Sequence, residues 1–146
     1  MHILILNGPN LNLLGIREPS VYGSESYAEL CQMIEDKCAE DGIACTVKQS
    51  NHEGVLVDEI GAALGVYDGI VLNPAAYTHT SIAILDAVKA VGLPTVEVHI
   101  SDLREREAFR QISYVRAACI ATVSGKGTRG YLEAIDLVRN YVEQHR

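Results

Sequence analysis

The chain has 146 residues, 48% of them hydrophobic, and a formal net charge of −7 from 12 Lys and Arg against 19 Asp and Glu. That length suits one domain with a real core, and the acidic balance argues against nucleic acid or an anionic membrane surface as partner. An anionic ligand would therefore have to be drawn by a local cluster of cations. No apolar run is long enough to span a bilayer, and no basic stretch precedes the first strand pattern, so neither a membrane anchor nor a signal peptide is expected. Cys31, Cys38, Cys45 and Cys119 show no CxxC spacing. This predicts no metal site and no thioredoxin motif, and it suits a reducing, cytoplasmic compartment.

In chain order, residues 3–6 form an unbroken apolar run, the mark of a buried central strand. Asn7, Gly8, Pro9 and Asn10 then break the chain at the strand's carboxyl end, where open α/β sheets bind ligands. The long connection that follows, about residues 8–24, carries Arg17 and Tyr22 five apart with Pro19 between them. Its aliphatic residues Leu11, Leu13, Leu14, Ile16 and Val21 argue against disorder, and a connection this long in a compact domain is usually functional. It is expected to be a lid over a site.

Beyond it, Tyr27, Leu30, Cys31, Ile34 and Cys38 give a helical stripe over 25–41, with Ser24 as cap and Gly42 as stop. Residues 43–49 predict a strand, 50–64 a helix, 69–72 a buried strand, and 81–91 a helix closed by Gly92. A strand follows at 94–100, another at 117–123, and a last helix at 131–144. Strands alternating with helices imply a parallel sheet covered on both faces. Five strands with right-handed crossovers predict a single α/β domain, a three-layer flavodoxin-like sandwich of order 2-1-3-4-5. The stretch GKGTRG at 125–130 matches GxGxxG, but only one helix remains beyond it, so the dinucleotide unit is never completed. It predicts a glycine turn feeding the final helix.

Polar residues gather at strand ends: Asn10, Arg17 and Tyr22 after the first, Asn73, Tyr77 and His79 after the third, and Glu97, His99 and Ser101 around the fourth. Parallel strands share one carboxyl edge, so these groups converge. Taken singly, Asn73 before Pro74 also suits a plain turn, and His79 suits a solvated loop residue. Glu97 and His99 are different. Two apart on a strand, they face the same way, and burying both is costly unless they pair. Glu97 is thus expected to orient His99 and sustain its charged form. Arg104, Arg106 and Arg110, mixed with Glu105 and Glu107, fit either a solvated helix laced with ion pairs or a clasp for an anion or hydroxyls.

Five stretches carry a resemblance: NGPNLNLLGIREPSVYG at 7–23, QSNHEG at 49–54, NPAAYTHTSIAILDA at 73–87, VEVHIS at 96–101, and RE with FRQISY at 106–114. Together they resemble the type II 3-dehydroquinate dehydratases over nearly the whole chain, in order. The resemblance implies a cofactor-free, flavodoxin-like enzyme, typically a dodecamer built as a tetramer of trimers, acting on the small anionic substrate 3-dehydroquinate. By position, Tyr22 would be the general base, Arg17 its activator and His99 the general acid, with Asn10 holding a water at the enolate oxygen. Asn73, His79 and Arg110 would bind substrate hydroxyls, and Ile100 with Ser101 the carboxylate. Arg106 would stand one layer behind, and Asp86 would reach a neighbouring subunit's site. Asp102 departs from the pattern, since many members carry Asn there.

The chemistry agrees. Removing a proton beside a ketone leaves an enolate, and expelling a β-hydroxyl then needs an acid. A free tyrosine has a pKa near 10, so a tyrosine base needs a cation such as Arg17 beside it. No motif here marks a Schiff-base lysine. A receiver domain or flavin carrier would share the fold, but the first strand ends in Asn7 and Asn10, neither an acidic cluster nor a Ser/Thr-rich phosphate loop.

Overall fold

The computed structural model describes residues 1–16 and 18–146. Its centre is a five-stranded parallel sheet of order β2-β1-β3-β4-β5, as the alternating pattern predicts. The strands are β1 (His2–Asn7), β2 (Ala44–Gln49), β3 (Gly69–Asn73), β4 (Thr95–His99) and β5 (Ala121–Ser124). The helices are α1 (Pro19–Tyr22), α2 (Tyr27–Glu40), α3 (Glu53–Ala62), α4 (Ile82–Val91) and α5 (Gly130–Gln144).

β1 holds the layers together because its side chains alternate between two cores. Ile3 and Ile5 join Leu30 and Ile34 of α2 and Ala134, Ile135 and Val138 of α5. Leu4 and Leu6 join Leu56 and Ile60 of α3 and Ile84 and Val88 of α4. All four β1 residues are fully buried, each contributing roughly 1.5–3 kcal/mol.

The element boundaries show where local signals mislead. The cap of α2 is Ser26, whose side chain accepts from Glu29 N at 3.1 Å, and not Ser24. α3 ends at Ala62, two residues short of the apolar pattern, and Leu64 is exposed. The apolar run 117–123 is not one strand. Ala117 lies in a 3-10 turn (Val115–Ala118), and β5 starts at Ala121, just after Ile120 N joins Thr95 O at 2.8 Å. A uniformly apolar run carries no period to separate the two. α4 keeps its expected ends, with Ser81 Oγ accepting from Ile84 N and Gly92 as C-cap.

Two aliphatic residues of the segment after β1 pack inward. Leu11 and Leu14 are buried, while Leu13 and Ile16 are exposed, so only part of its aliphatic content holds it down. It contains a 3-10 turn (Leu11–Leu13) and the short α1. Gly8 lets the chain turn here, since a Cβ on it would lie 2.7 Å from Pro74 O. Between β4 and β5 the arginine-rich stretch forms 3-10 turns (Leu103–Glu105 and Ala108–Arg110), not a solvated helix. The GxGxxG stretch is a turn leading into α5, as expected. All four cysteines are free thiols, with Cys38 in the core. No described helix is long and apolar enough to cross a membrane.

Candidate active site

The parallel register brings the strand ends to one edge, with Asn7 opposite Asn73 and His99 opposite Ser124. Above this edge lies a cavity of about 50 Å3. Asn10 and Tyr22 line it from the connection after β1. Asn73 and His79 line it from β3 and the turn beyond, and His99, Ile100, Ser101, Arg106 and Arg110 from β4 and the arginine-rich turns. Nine residues singled out in the sequence therefore meet in one place. The volume is well below the roughly 300 Å3 of ligand-sized pockets.

At its floor, His99 Nε2 lies 2.8 Å from Glu97 Oε2, with Glu97 fully buried and His99 nearly so. The expected pair is present, and Glu97 has further partners. On Oε2 it accepts from the hydroxyls of Thr78 and Ser113. On Oε1 it accepts from Arg116 Nε at 2.9 Å and Thr122 Oγ1 at 3.1 Å. Burial alone would raise the Glu97 carboxyl. The hydrogen bond and charge of His99, with Ser113 and Thr78, outweigh it and hold the group well below the carboxylate range. An ionised carboxylate only accepts, so His99 Nε2 carries a hydrogen and Nδ1 is left for other partners.

His79 Nδ1 lies 2.7 Å from Ile112 O. A carbonyl also only accepts, so Nδ1 is the protonated nitrogen, and burial lowers the affinity of the ring for a second proton. His79 thus offers Nε2 as an acceptor. Asn73 is fixed from both sides. Its Nδ2 donates to Tyr131 Oη at 2.8 Å and its Oδ1 accepts from Ala75 N at 3.0 Å. Tyr131 in turn donates to Asn7 Oδ1 at 2.7 Å. Asn10 adopts a left-handed conformation, φ 68, and its N–H donates to Asn51 Oδ1 at 3.0 Å.

The resemblance puts Arg106 one layer back. Arg106 lines the cavity, and its Nη1 donates to Tyr22 Oη at 3.2 Å and Ser101 Oγ at 3.1 Å. Arg110 is anchored by Glu107 at 2.7 Å. Asp102 is turned aside: it accepts from Arg104 N, Nε and Nη2 at 2.9–3.1 Å, and the Arg104 side chain lowers its pKa. Its charge is paired before it can oppose an anion at residues 100–101. Arg17 lies outside the described residues. Asp86 is exposed on α4, away from this cavity. Ile84 and Val88 form the buried face of α4, and Ile82 is exposed like Asp86.

Thr78, Ser113, Arg116 and Thr122 had no sequence signal of their own. The one available clue was that a buried Glu97 would need several donors. Among the described residues, no group of His, Cys, Asp or Glu is arranged to hold a metal ion.

Comparison with known proteins gives one answer. The dehydroquinase class II family matches residues 1–139. A 3-dehydroquinate dehydratase from Acidovorax sp. (strain JS42) is 53% identical over 139 residues, 92% of this chain and 94% of the relative. That from Clostridium acetobutylicum is 47% identical over 144 residues, 99% of this chain and 100% of the relative. The crystal structure of a type II dehydroquinase from Butyrivibrio crossotus superposes with a TM-score of 0.94 at 48% identity, covering 95% of this chain and 97% of the other.

Proposed function

The chain belongs to the class II dehydroquinase family, and on that premise we propose that Tyr22 and His99 carry out the dehydration through an enolate. The family activity is that of a hydro-lyase of the shikimate pathway, converting 3-dehydroquinate to 3-dehydroshikimate. Tyr22 takes the proton from the carbon next to the ketone, and the electron pair left behind moves onto the ketone oxygen. The enolate then collapses, the β-carbon–oxygen bond breaks, and His99 protonates the departing hydroxyl, which leaves as water. Tyr22 ends protonated and His99 one proton short, so a proton must pass between them to reset the site.

The observation that carries this reading is that His99, paired with the buried Glu97 behind it, lines the same cavity as Tyr22. With Nε2–H committed to Glu97, the acid proton is the one on His99 Nδ1. Arg106 donates to the Tyr22 hydroxyl and places a permanent cation beside it. Arg17 is assigned the same task by the family pattern. Asn10 would hold a water at the enolate oxygen. Asn73, His79 and Arg110 would take substrate hydroxyls, His79 as acceptor through Nε2. The peptide of Ile100 and Ser101, with Arg106 on the Ser101 hydroxyl, would take the carboxylate. Residues 8–24 act as a lid, which the small volume of the cavity supports. The reading includes no cofactor, a cytoplasmic location and a dodecamer formed as a tetramer of trimers. Growth of enone absorbance on adding 3-dehydroquinate tests it, and no change in absorbance would overturn it.

A further inference from the structure

The glycine-rich turn after β5, which serves no dinucleotide, is bonded to the backbone of the candidate site. Ser124 Oγ and Gly125 N each donate to Ser101 O at 3.1 Å. Gly127 N donates to Ile100 O at 3.1 Å. In a trans peptide the carbonyl and the following N–H point to opposite sides. With the Ile100 carbonyl held by Gly127, the Ser101 N–H points away from the turn, and Ile100 and Ser101 both line the cavity. The carbonyls, which would repel an anion, are turned back and satisfied.

We propose that Ser124 and the turn 125–127 are a positioning device, fixing the 100–101 peptide with its N–H towards the substrate carboxylate. This rests on the assignment of that peptide as the carboxylate holder. The turn is shaped for the task. Gly125 has φ 77, and a Cβ on it would lie 3.0 Å from the Cβ of Asp102. Only glycine therefore lets the N–H approach Ser101 O this closely. Ser124 stands opposite His99 in the ladder, so its hydroxyl reaches the chain two residues beyond the proposed acid. Thr128, on the same turn, donates to Glu25 Oε1 at 2.9 Å and grips the foot of the lid. Changes at Ser124 leave that grip in place.

Ser124→Ala and Ser124→Thr test the proposal, by steady-state kinetics on 3-dehydroquinate and by inhibition with quinate and with its analogue bearing hydroxymethyl for carboxylate. Loss of one such hydrogen bond should raise KM and the quinate Ki about two- to tenfold. In Ser124→Ala, kcat should change little and the Ki of the hydroxymethyl analogue should not move, while Ser124→Thr should restore the wild-type constants. An unmoved quinate Ki, or equal losses for both inhibitors, would overturn the proposal and leave the enzyme assignment standing. Wild-type protein inert towards 3-dehydroquinate would overturn the assignment and this proposal with it.

Discussion

Arg106 Nη1 donates to the Tyr22 hydroxyl at 3.2 Å across 84 residues of chain, and its guanidinium carbon lies 5.4 Å from the centre of the Tyr22 ring. A cation fixed at a phenol oxygen stabilises the oxygen once its proton is gone. Tyr22→Phe is therefore expected to lower kcat by about 100-fold or more with KM nearly unchanged, because only the proton acceptor is lost. Arg106→Ala should also be slow, and Arg106→Lys should recover little, since an ammonium cannot bridge Tyr22 and Ser101 with the same fork. Steady-state kinetics of the three variants checks this. A fast Tyr22→Phe enzyme would remove Tyr22 as base.

The enolate route involves no covalent adduct. Borohydride added together with 3-dehydroquinate should neither inactivate the enzyme nor add mass to it. Intact-mass spectrometry reads this directly, and a reduced ligand on any lysine would show an imine mechanism instead.

Glu97 should govern acid stability. It is fully buried with five hydrogen-bonding partners, and its pKa is lowered from the reference value of 4.5. Its stabilisation is present above that unfolded value and is lost as pH falls towards the lower folded one. Glu97→Gln puts a donor where five donors converge, so it should destabilise by roughly 3–5 kcal/mol at pH 7. The gap between wild type and variant should narrow steadily below pH 4.5. Thermal melts at about pH 7 and about pH 3.5 measure both values. An equal gap at the two would mean that the Glu97 carboxylate is not held in its ionised form by folding.

The resemblance would put Asp86 at a subunit contact. It is exposed on α4, near the exposed Ile82 on the same helix. If it closes a neighbouring subunit's pocket, Asp86→Ala should lower activity without lowering the melting temperature of the isolated fold. Wild-type activity should also fall on dilution as subunits part. Sedimentation velocity run alongside turnover tests both. A fully active monomer would show that each subunit works alone.

The sheet and its strand order were legible in the sequence because buried parallel strands are continuous apolar runs and their crossovers have one hand. Glu97 and His99 were legible as a pair because strand side chains repeat every two residues. That Tyr22, Asn73, His79 and Ser101 come together was legible because parallel strands end at a common edge. Boundaries were less so: Ser24 and Ser26 are equivalent as caps until the chain's path selects one, and the run 117–123 hides a turn.

What the sequence by itself determined is therefore the set of elements and the edge at which their polar residues meet, since both follow from local periodicity. The tertiary structure alone decided which groups touch. Thr78, Ser113, Arg116 and Thr122 reach Glu97 from 16 to 25 residues away. Arg106 reaches Tyr22, and Ser124 reaches the Ser101 carbonyl 23 residues back. Such contacts depend on how layers pack and where turns bend, and a hydroxyl or guanidinium looks the same in sequence whether it faces water or a buried carboxylate.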